Sequence, residues 1–445
     1  MSVDGVAAFR CPRHTRPCKL ISSAISGSGP LIRGLNYRRP KTPPVATHPM
    51  HITRIDQFQA DGGWRPFSFL KVTTDAGLIG WSEYCRAAWV PALAAVIEQT
   101  AKHVLGRDPR AYARLTSELQ AICRFAPDGL NQQAIAAIEN ACIDIAAQAA
   151  GVPVYELLGG PYRDRLRLYW SHCGSFRVQH SKYFTEVLNR PPLNSLDDIK
   201  RLGEEVTSRG FELAKLNPIS FTAPGLPRLL NPGFAPGGLD FGRTLTRDTL
   251  NDIEDQVEAF YDGLAPHANA MLDLNFGFTP AGIRQIAHRL AKFELKWLEV
   301  DLPESKPLGR IRARAAMPIA SFETLYGRRG YNRYLQAQCV DVAIVDVPWN
   351  GYAESVRIAN LAEACETNVA PHNFYGPLAD LMAAHFCASI PNFEVMEIEL
   401  DDVPWKYDLL TKPPTIEAGL FHLPKGIGWG AAIDEDALKA HPWKG

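Results

Sequence analysis

Residues 340–372 read VDVAIVDVPWNGYAESVRIANLAEACETNVAPH, and the fold turns on how that stretch divides. Val340–Val347 is an apolar, β-branched run of strand length, and Asn368–His372 is a second short strand. Between them, Ala353–Cys365 reads as a helix. Strand, helix, strand is the unit of a parallel sheet, and both strands end in a group with chemistry, Asp346 and His372.

Working outward, the same rhythm runs from Leu166 to Glu397. The expected strands are Leu166–His172, Glu212–Pro218, Asn269–Phe276, Trp297–Leu302, Pro318–Glu323, Val340–Val347, Asn368–His372 and Phe393–Glu397. Helices are expected at Arg284–Lys292, Leu308–Ala315, Ala353–Cys365 and Pro377–Ala388, while helical periodicity between the first two strands is weak. Eight strands alternating with helices predict a closed α/β barrel of the TIM (β/α)8 type. An open doubly wound sheet is the alternative, but no Gly-rich nucleotide turn follows any of the strands.

Ahead of the barrel, three strands (Ile52–Gln59, Phe67–Thr74, Ile79–Glu83) read as an antiparallel meander. Pro91–Leu105, Tyr112–Cys123 and Asn131–Ala150 read as helices, the last closed by Gly151. The expected organisation is an α+β domain over 49–162, the barrel over 163–403, and a segment over 404–445 that folds back on the small domain. Residues 1–48 are Arg-rich with a single acid, Asp4, and are expected to be a disordered extension or the product of a misplaced start. The Pro/Gly-rich stretch 219–243 falls where a loop on the catalytic face belongs.

A formal net charge of -1 and 21% charged residues provide no global attraction to nucleic acid or an anionic membrane. No apolar run is long enough to span a bilayer. The nine cysteines are scattered without a CxxC pair, which fits thiols in a reducing cytoplasm better than disulfides or structural zinc.

In such a barrel the C-terminal ends of the strands converge on one site. Those ends are Lys215-Leu-Asn217, Asp273-Leu-Asn275, Glu299-Val-Asp301, Glu323, Asp346, His372 and Glu397. Charged groups are rarely buried without a purpose or a partner, and here seven successive strands end in one. Asp273, Glu299 and Glu323 offer hard oxygen ligands suited to Mg2+, with Mn2+ possible. Asp346 behind His372 would fix the imidazole tautomer and make His372 a general base. Lys215 reads either as a base or as a fixed charge for a substrate carboxylate. Glu397 reads either as a protonated donor to an enediolate or as a salt-bridge partner. The expected chemistry is removal of a proton beside a carboxylate.

The ordered set Ala137-Ile-Glu-Asn-Ala-Cys-Ile-Asp144, Gly151-Val-Pro-Val-Tyr-Glu-Leu-Leu-Gly-Gly160, Leu272-Asp-Leu-Asn275, Trp297-Leu-Glu299, Pro318-Ile-Ala-Ser-Phe-Glu323, Ala370-Pro-His-Asn373 and Pro391-Asn-Phe-Glu-Val-Met-Glu397 resembles the enolase superfamily in its mandelate racemase subgroup, over about residues 50–435. The general principle of a Lys or His base working with Mg2+ is itself illustrated by this superfamily. The resemblance implies that Asp273, Glu299 and Glu323 hold Mg2+, that Asp346 and His372 form the dyad, and that Glu397 hydrogen-bonds the substrate carboxylate. It implies a cap whose loops near 60–66, with Trp64, and 84–89 close over the barrel and choose the substrate.

Where the subgroup usually has Lys-x-Lys, this chain has Lys215-Leu-Asn217. Asn217 cannot serve as a second base, so a one-base reaction is expected, and the motif resembles that of galactonate-type acid-sugar dehydratases. Those enzymes often carry a His where Asn275 stands. Asn217 and Asn275 are then expected to contact substrate. The implied reaction is dehydration of an acid sugar, a small carboxylate, to a 2-keto-3-deoxy acid. Epimerisation or cycloisomerisation on the same scaffold, and carboxylate binding without turnover, are the alternatives. By the same resemblance the chain would be a homo-oligomer, a dimer or an octamer.

Overall fold

The computed structural model describes residues 49–444, apart from 87–89, 91, 222–226 and 231–243. The expectation for residues 1–48, and most of 219–243, therefore falls outside the described residues.

Three antiparallel strands, β1 (Ile52–Asp61), β2 (Pro66–Thr74) and β3 (Ile79–Tyr84), form a sheet in that order. The helix Leu130–Ala150 packs on it. The sequence suggests one apolar stripe along that helix, but Gln132–Ala147 is buried all round. Its buried polar groups bond to the neighbours it meets, Glu139 accepting from the Ala353 amide and Asn140 from the Tyr352 amide, and its alanines let neighbours approach closely. Gly80 of β3 shows how closely, since a Cβ there would lie 2.0 Å from the Ala141 carbonyl oxygen.

The barrel begins at β4 (Arg165–Trp170) and β5 (Leu213–Leu216). A small hairpin of β6 (Ile219–Ser220) and β7 (Arg228–Leu229) leaves the end of β5. The barrel continues through β8 (Asn269–Asp273), β9 (Trp297–Glu299), β10 (Ile319–Ser321), β11 (Val342–Asp346), β12 (Asn368–His372) and β13 (Met396–Ile398). Each of β4, β5 and β8–β11 pairs in parallel with the next barrel strand. β13 pairs in parallel with β4, and Asn392 and Glu394 exchange backbone bonds with Val369 of β12, so the ring closes. The eight parallel strands fall where the sequence predicts them, most of them shorter than expected.

Seven of the eight inter-strand positions carry a helix, and after β13 comes only the short turn Lys406–Leu409. This is the modification of the TIM pattern. Between β4 and β5, where periodicity is weak, the chain forms a thirteen-residue helix, Leu196–Ser208. The Ser195 hydroxyl caps it by accepting from the Asp198 amide, with Asp197 and Asp198 in the first turn.

The chain then returns through β14 (Ile416–Glu417) and β15 (Leu420–His422), and β15 pairs antiparallel with the start of β4. The later tail meets the cap sheet. Trp429 Nε1 donates to the Trp81 carbonyl at 2.9 Å, the Asp61 amide to the His441 carbonyl at 2.8 Å, and Lys71 pairs with Glu435.

Candidate active site

Parallel strands of one barrel deliver their last residues to one rim, and the described rim holds buried polar side chains. One ligand oxygen from each of Asp273, Glu299 and Glu323 lies within 4.8 Å of the other two. Burial raises all three carboxyls above their ordinary range, Glu299 to about 7. Lys215 counters this at Asp273 and Glu299, and His372 counters it at Glu323. Three buried, hard oxygen donors held this close form a set that could hold a divalent cation.

Lys215 is 1% exposed. Its Nζ lies 2.9 Å from Glu397 Oε1, 3.2 Å from both oxygens of Glu299 and 4.0 Å from Asp273 Oδ2. Burial alone would favour the neutral amine, but Glu299 and Glu397 outweigh it and hold Lys215 protonated well above its usual range. Of the two readings of Lys215, this environment favours the fixed positive charge.

Glu397 is the salt-bridge partner of that lysine. Burial favours its protonation, yet Lys215 and His372 reverse that and keep it ionised, below the usual carboxylate range. Its oxygens also accept from the Ser171 hydroxyl and from the Asn373 amide at 2.6 Å. A carboxylate so placed accepts hydrogen bonds.

His372 Nδ1 lies 2.6 Å from Asp346 Oδ2, and its Nε2 is 3.5 Å from Glu323 Oε2. Asp346 accepts in addition from the Trp349 amide at 2.7 Å and from the Tyr375 hydroxyl. Burial works against a charged imidazole here, but the Glu323 and Asp346 carboxylates push His372 up to about 10. Tyr375 is a functional neighbour that the sequence reading missed. Its signal was its place three residues beyond His372 on the same strand-end loop.

The two asparagines bind inward. Asn217 is fully buried; its Nδ2 donates to the Asp273 carbonyl and carboxylate at 3.4 Å, and its Oδ1 accepts from Ser175 at 2.9 Å. The Asn275 amide donates to Asp273 Oδ1 at 2.7 Å, and its side chain to Glu323 at 3.4 Å. Both contact carboxylates of the cluster. Asp301 points to the next strand, accepting from the Ser321 hydroxyl at 2.8 Å and the Phe322 amide at 3.0 Å.

From the cap, Trp64 packs among Phe176, His180, Tyr183 and Phe184 at 5.1–5.9 Å between ring centroids. Its Nε1 is buried with no hydrogen-bond partner among the described residues. Arg65 donates to the Phe374 carbonyl and pairs with Asp402 at 3.0 Å, so it is committed to the barrel rim.

A cluster of three carboxylates, a lysine fixed as a cation and an aspartate-histidine dyad, all at the rim of a capped barrel, define the chain as a barrel enzyme of carboxylate chemistry. Two family models match it. Mandelate racemase / muconate lactonizing enzyme, N-terminal domain, covers residues 41–159, and Enolase C-terminal domain-like covers 198–437. The chain belongs to the mandelate racemase/muconate lactonizing enzyme family of the enolase superfamily.

Among solved structures, a putative L-alanine-DL-glutamate epimerase from Burkholderia xenovorans strain LB400, bound to magnesium and fumarate, is 39% identical with a TM-score of 0.84. The match covers 88% of this chain and 96% of that one. D-xylonate dehydratase of Haloferax volcanii is 28% identical over 88% of this chain and 89% of that protein. D-galactonate dehydratase of Xanthomonas oryzae pv. oryzae (strain PXO99A) is 27% identical over 88% and 94% respectively.

Proposed function

We propose that this protein is a Mg2+-dependent hydro-lyase that dehydrates an acid sugar, an aldonate or aldarate, to a 2-keto-3-deoxy acid. The observation that carries the reading is the pairing of one imidazole base with a lysine that is no base at all. His372, oriented by Asp346 and Tyr375, stands beside the carboxylate cluster. Lys215 is pinned as a cation, and two residues on, just past its strand, stands an asparagine turned toward Asp273. Inversion at a carbon needs a base on each face of the substrate, whereas elimination needs one.

Asp273, Glu299 and Glu323 would hold Mg2+, which when bound supplies a Lewis acid for the substrate carboxylate and offsets the charge that keeps His372 protonated. Lys215 supplies the chain's own positive charge to the same end of the substrate. His372 Nε2 takes the α-proton, and the electron pair of that C–H bond moves toward the carboxylate. As the pair returns to form the C2–C3 double bond, the C3–O bond breaks. The departing hydroxide takes the proton from His372 and leaves as water. The resulting enol becomes the 2-keto acid. Relatives named for dehydration of xylonate, gluconate and galactonate support this reaction class.

The test is a screen of mono- and diacid sugars with purified protein and Mg2+, detecting 2-keto-3-deoxy acids, with an EDTA control. An EDTA-sensitive product from one stereochemical series is expected. A library without products overturns the reading. Epimerisation is the second reading, because a 39% identical relative is named a putative epimerase. Deuterium at the α-carbon of recovered, inverted substrate would favour it.

A further inference from the structure

The first barrel strand also ends in an imidazole. His172 follows Ser171 directly beyond β4 and is 95% buried at the same rim. Its backbone is left-handed, with φ of +42°. A non-glycine residue there is strained, and such residues concentrate where a side chain is needed in a fixed place. The ring packs between Phe176 at 5.0 Å and Phe374 at 5.2 Å, and the same Phe374 ring lies 5.1 Å from His372. Two imidazoles therefore flank one phenyl ring at the mouth of the barrel.

The hydrogen bonds around His172 fix its tautomer. Ser171 has one hydroxyl hydrogen, and it goes to Glu397. The 2.9 Å contact between Ser171 Oγ and His172 Nδ1 must then be donated by Nδ1–H, with Glu399 Oε2 a further 3.3 Å neighbour of that nitrogen. In the neutral ring, Nε2 is the acceptor. Burial pushes this imidazole down to about 3, so it stays neutral through the physiological range.

Position adds the rest. In a closed ring of eight strands, β4 lies opposite β10, the strand that leads to Glu323. In the proposed pose the carboxylate end of a ligand is held at the Asp273–Glu299–Glu323 cluster and its chain extends toward β4. We propose that His172 is a substrate-contacting, specificity-determining residue, whose Nε2 accepts a hydrogen bond from a hydroxyl on the sugar-acid chain beyond the α-carbon. This rests on the sugar-acid reading above.

The experiment is calorimetric titration of the Mg2+-loaded full chain and of its His172→Phe and His172→Gln variants. The probes are D-xylonate and D-galactonate, which carry chain hydroxyls, and lactate, which carries none beyond the α-carbon. Mg2+ affinity and melting temperature within error of the parent confirm the fold. His172→Phe is expected to weaken at least one aldonate tenfold or more and lactate less than twofold, with His172→Gln recovering part of the loss through its amide oxygen. Equal aldonate affinity for parent and His172→Phe overturns the proposal. So does an equal loss for lactate, or a parent that binds neither aldonate. Aldonate binding that depends on His172 without any turnover would sink the dehydration reading and leave His172 as a binding residue.

Discussion

Lys215 shows how one residue's neighbours decide its chemistry. As a letter in Lys215-Leu-Asn217 it is equally a base or a charge. With Glu397 at 2.9 Å and Glu299 at 3.2 Å it is a charge. In the proposed reaction His372 is the proton acceptor. His372→Asn is expected to lower kcat by at least about 10³-fold, the scale of a lost general base. Mg2+ affinity should stay within about twofold of the parent, because Asn cannot take a proton yet fills the same place. Turnover near the parental rate in that variant, measured by product formation under saturating Mg2+, would remove His372 as the base. Glu323→Gln should instead weaken Mg2+ binding at least about tenfold by calorimetry, since it removes one hard anionic ligand of three. Unchanged Mg2+ affinity would dissolve the ligand set.

At the scale of elements, the helix Pro377–Ala388 carries a load that its own sequence does not announce. Its N-terminus has no side-chain cap from within. Glu83 of β3 reaches over from the cap and accepts from the amides of Gly376, Leu378 and Ala379 at 2.5, 3.1 and 2.9 Å. That contact braces the turn from His372 to Gly376, the turn that also carries Tyr375. Glu83→Ala should destabilise the fold by roughly 2–3 kcal/mol, because several buried donors lose one acceptor. Denaturant titration checks this, and a change under about 0.5 kcal/mol contradicts it. This is also where the sequence was silent. Strand ends were legible because a charged residue closing an apolar run has few reasons to be there. The roles of Glu83 and Arg65 are not legible in the sequence, because their partners lie nearly three hundred positions or more away. The helix Leu196–Ser208 was missed although Ser195 and Asp198 spell its cap, since the preceding stretch of short turns blurs the periodicity. His172 was included in a strand but not weighed with the other rim residues.

At the scale of the whole molecule, Asp144 ties three regions together. From the helix Leu130–Ala150 it accepts from the Trp81 amide of β3 at 3.0 Å and from the Trp429 amide of the C-terminal segment at 3.2 Å. Burial without a cationic partner raises its carboxyl from 3.8 to about 7. The folded state then holds this proton where the unfolded chain releases it. The group's contribution is full below about pH 4 and is lost as pH rises through about 7. Asp144→Asn should flatten the pH dependence of stability across that window, measured by denaturant midpoints at fixed ionic strength. An unchanged slope would show that other groups set it. Among the described residues, no helix is long and apolar enough to cross a membrane.

The central claim is a single base driving elimination, and proton NMR in D2O with Mg2+ and the acid sugar identified by screening tests it most directly. The account predicts a 2-keto-3-deoxy product carrying deuterium at C3, formed at a rate that falls to background in His372→Asn. Recovered substrate should keep its configuration at C2. Recovered substrate that is inverted and deuterated at C2, with no keto acid formed, would contradict it.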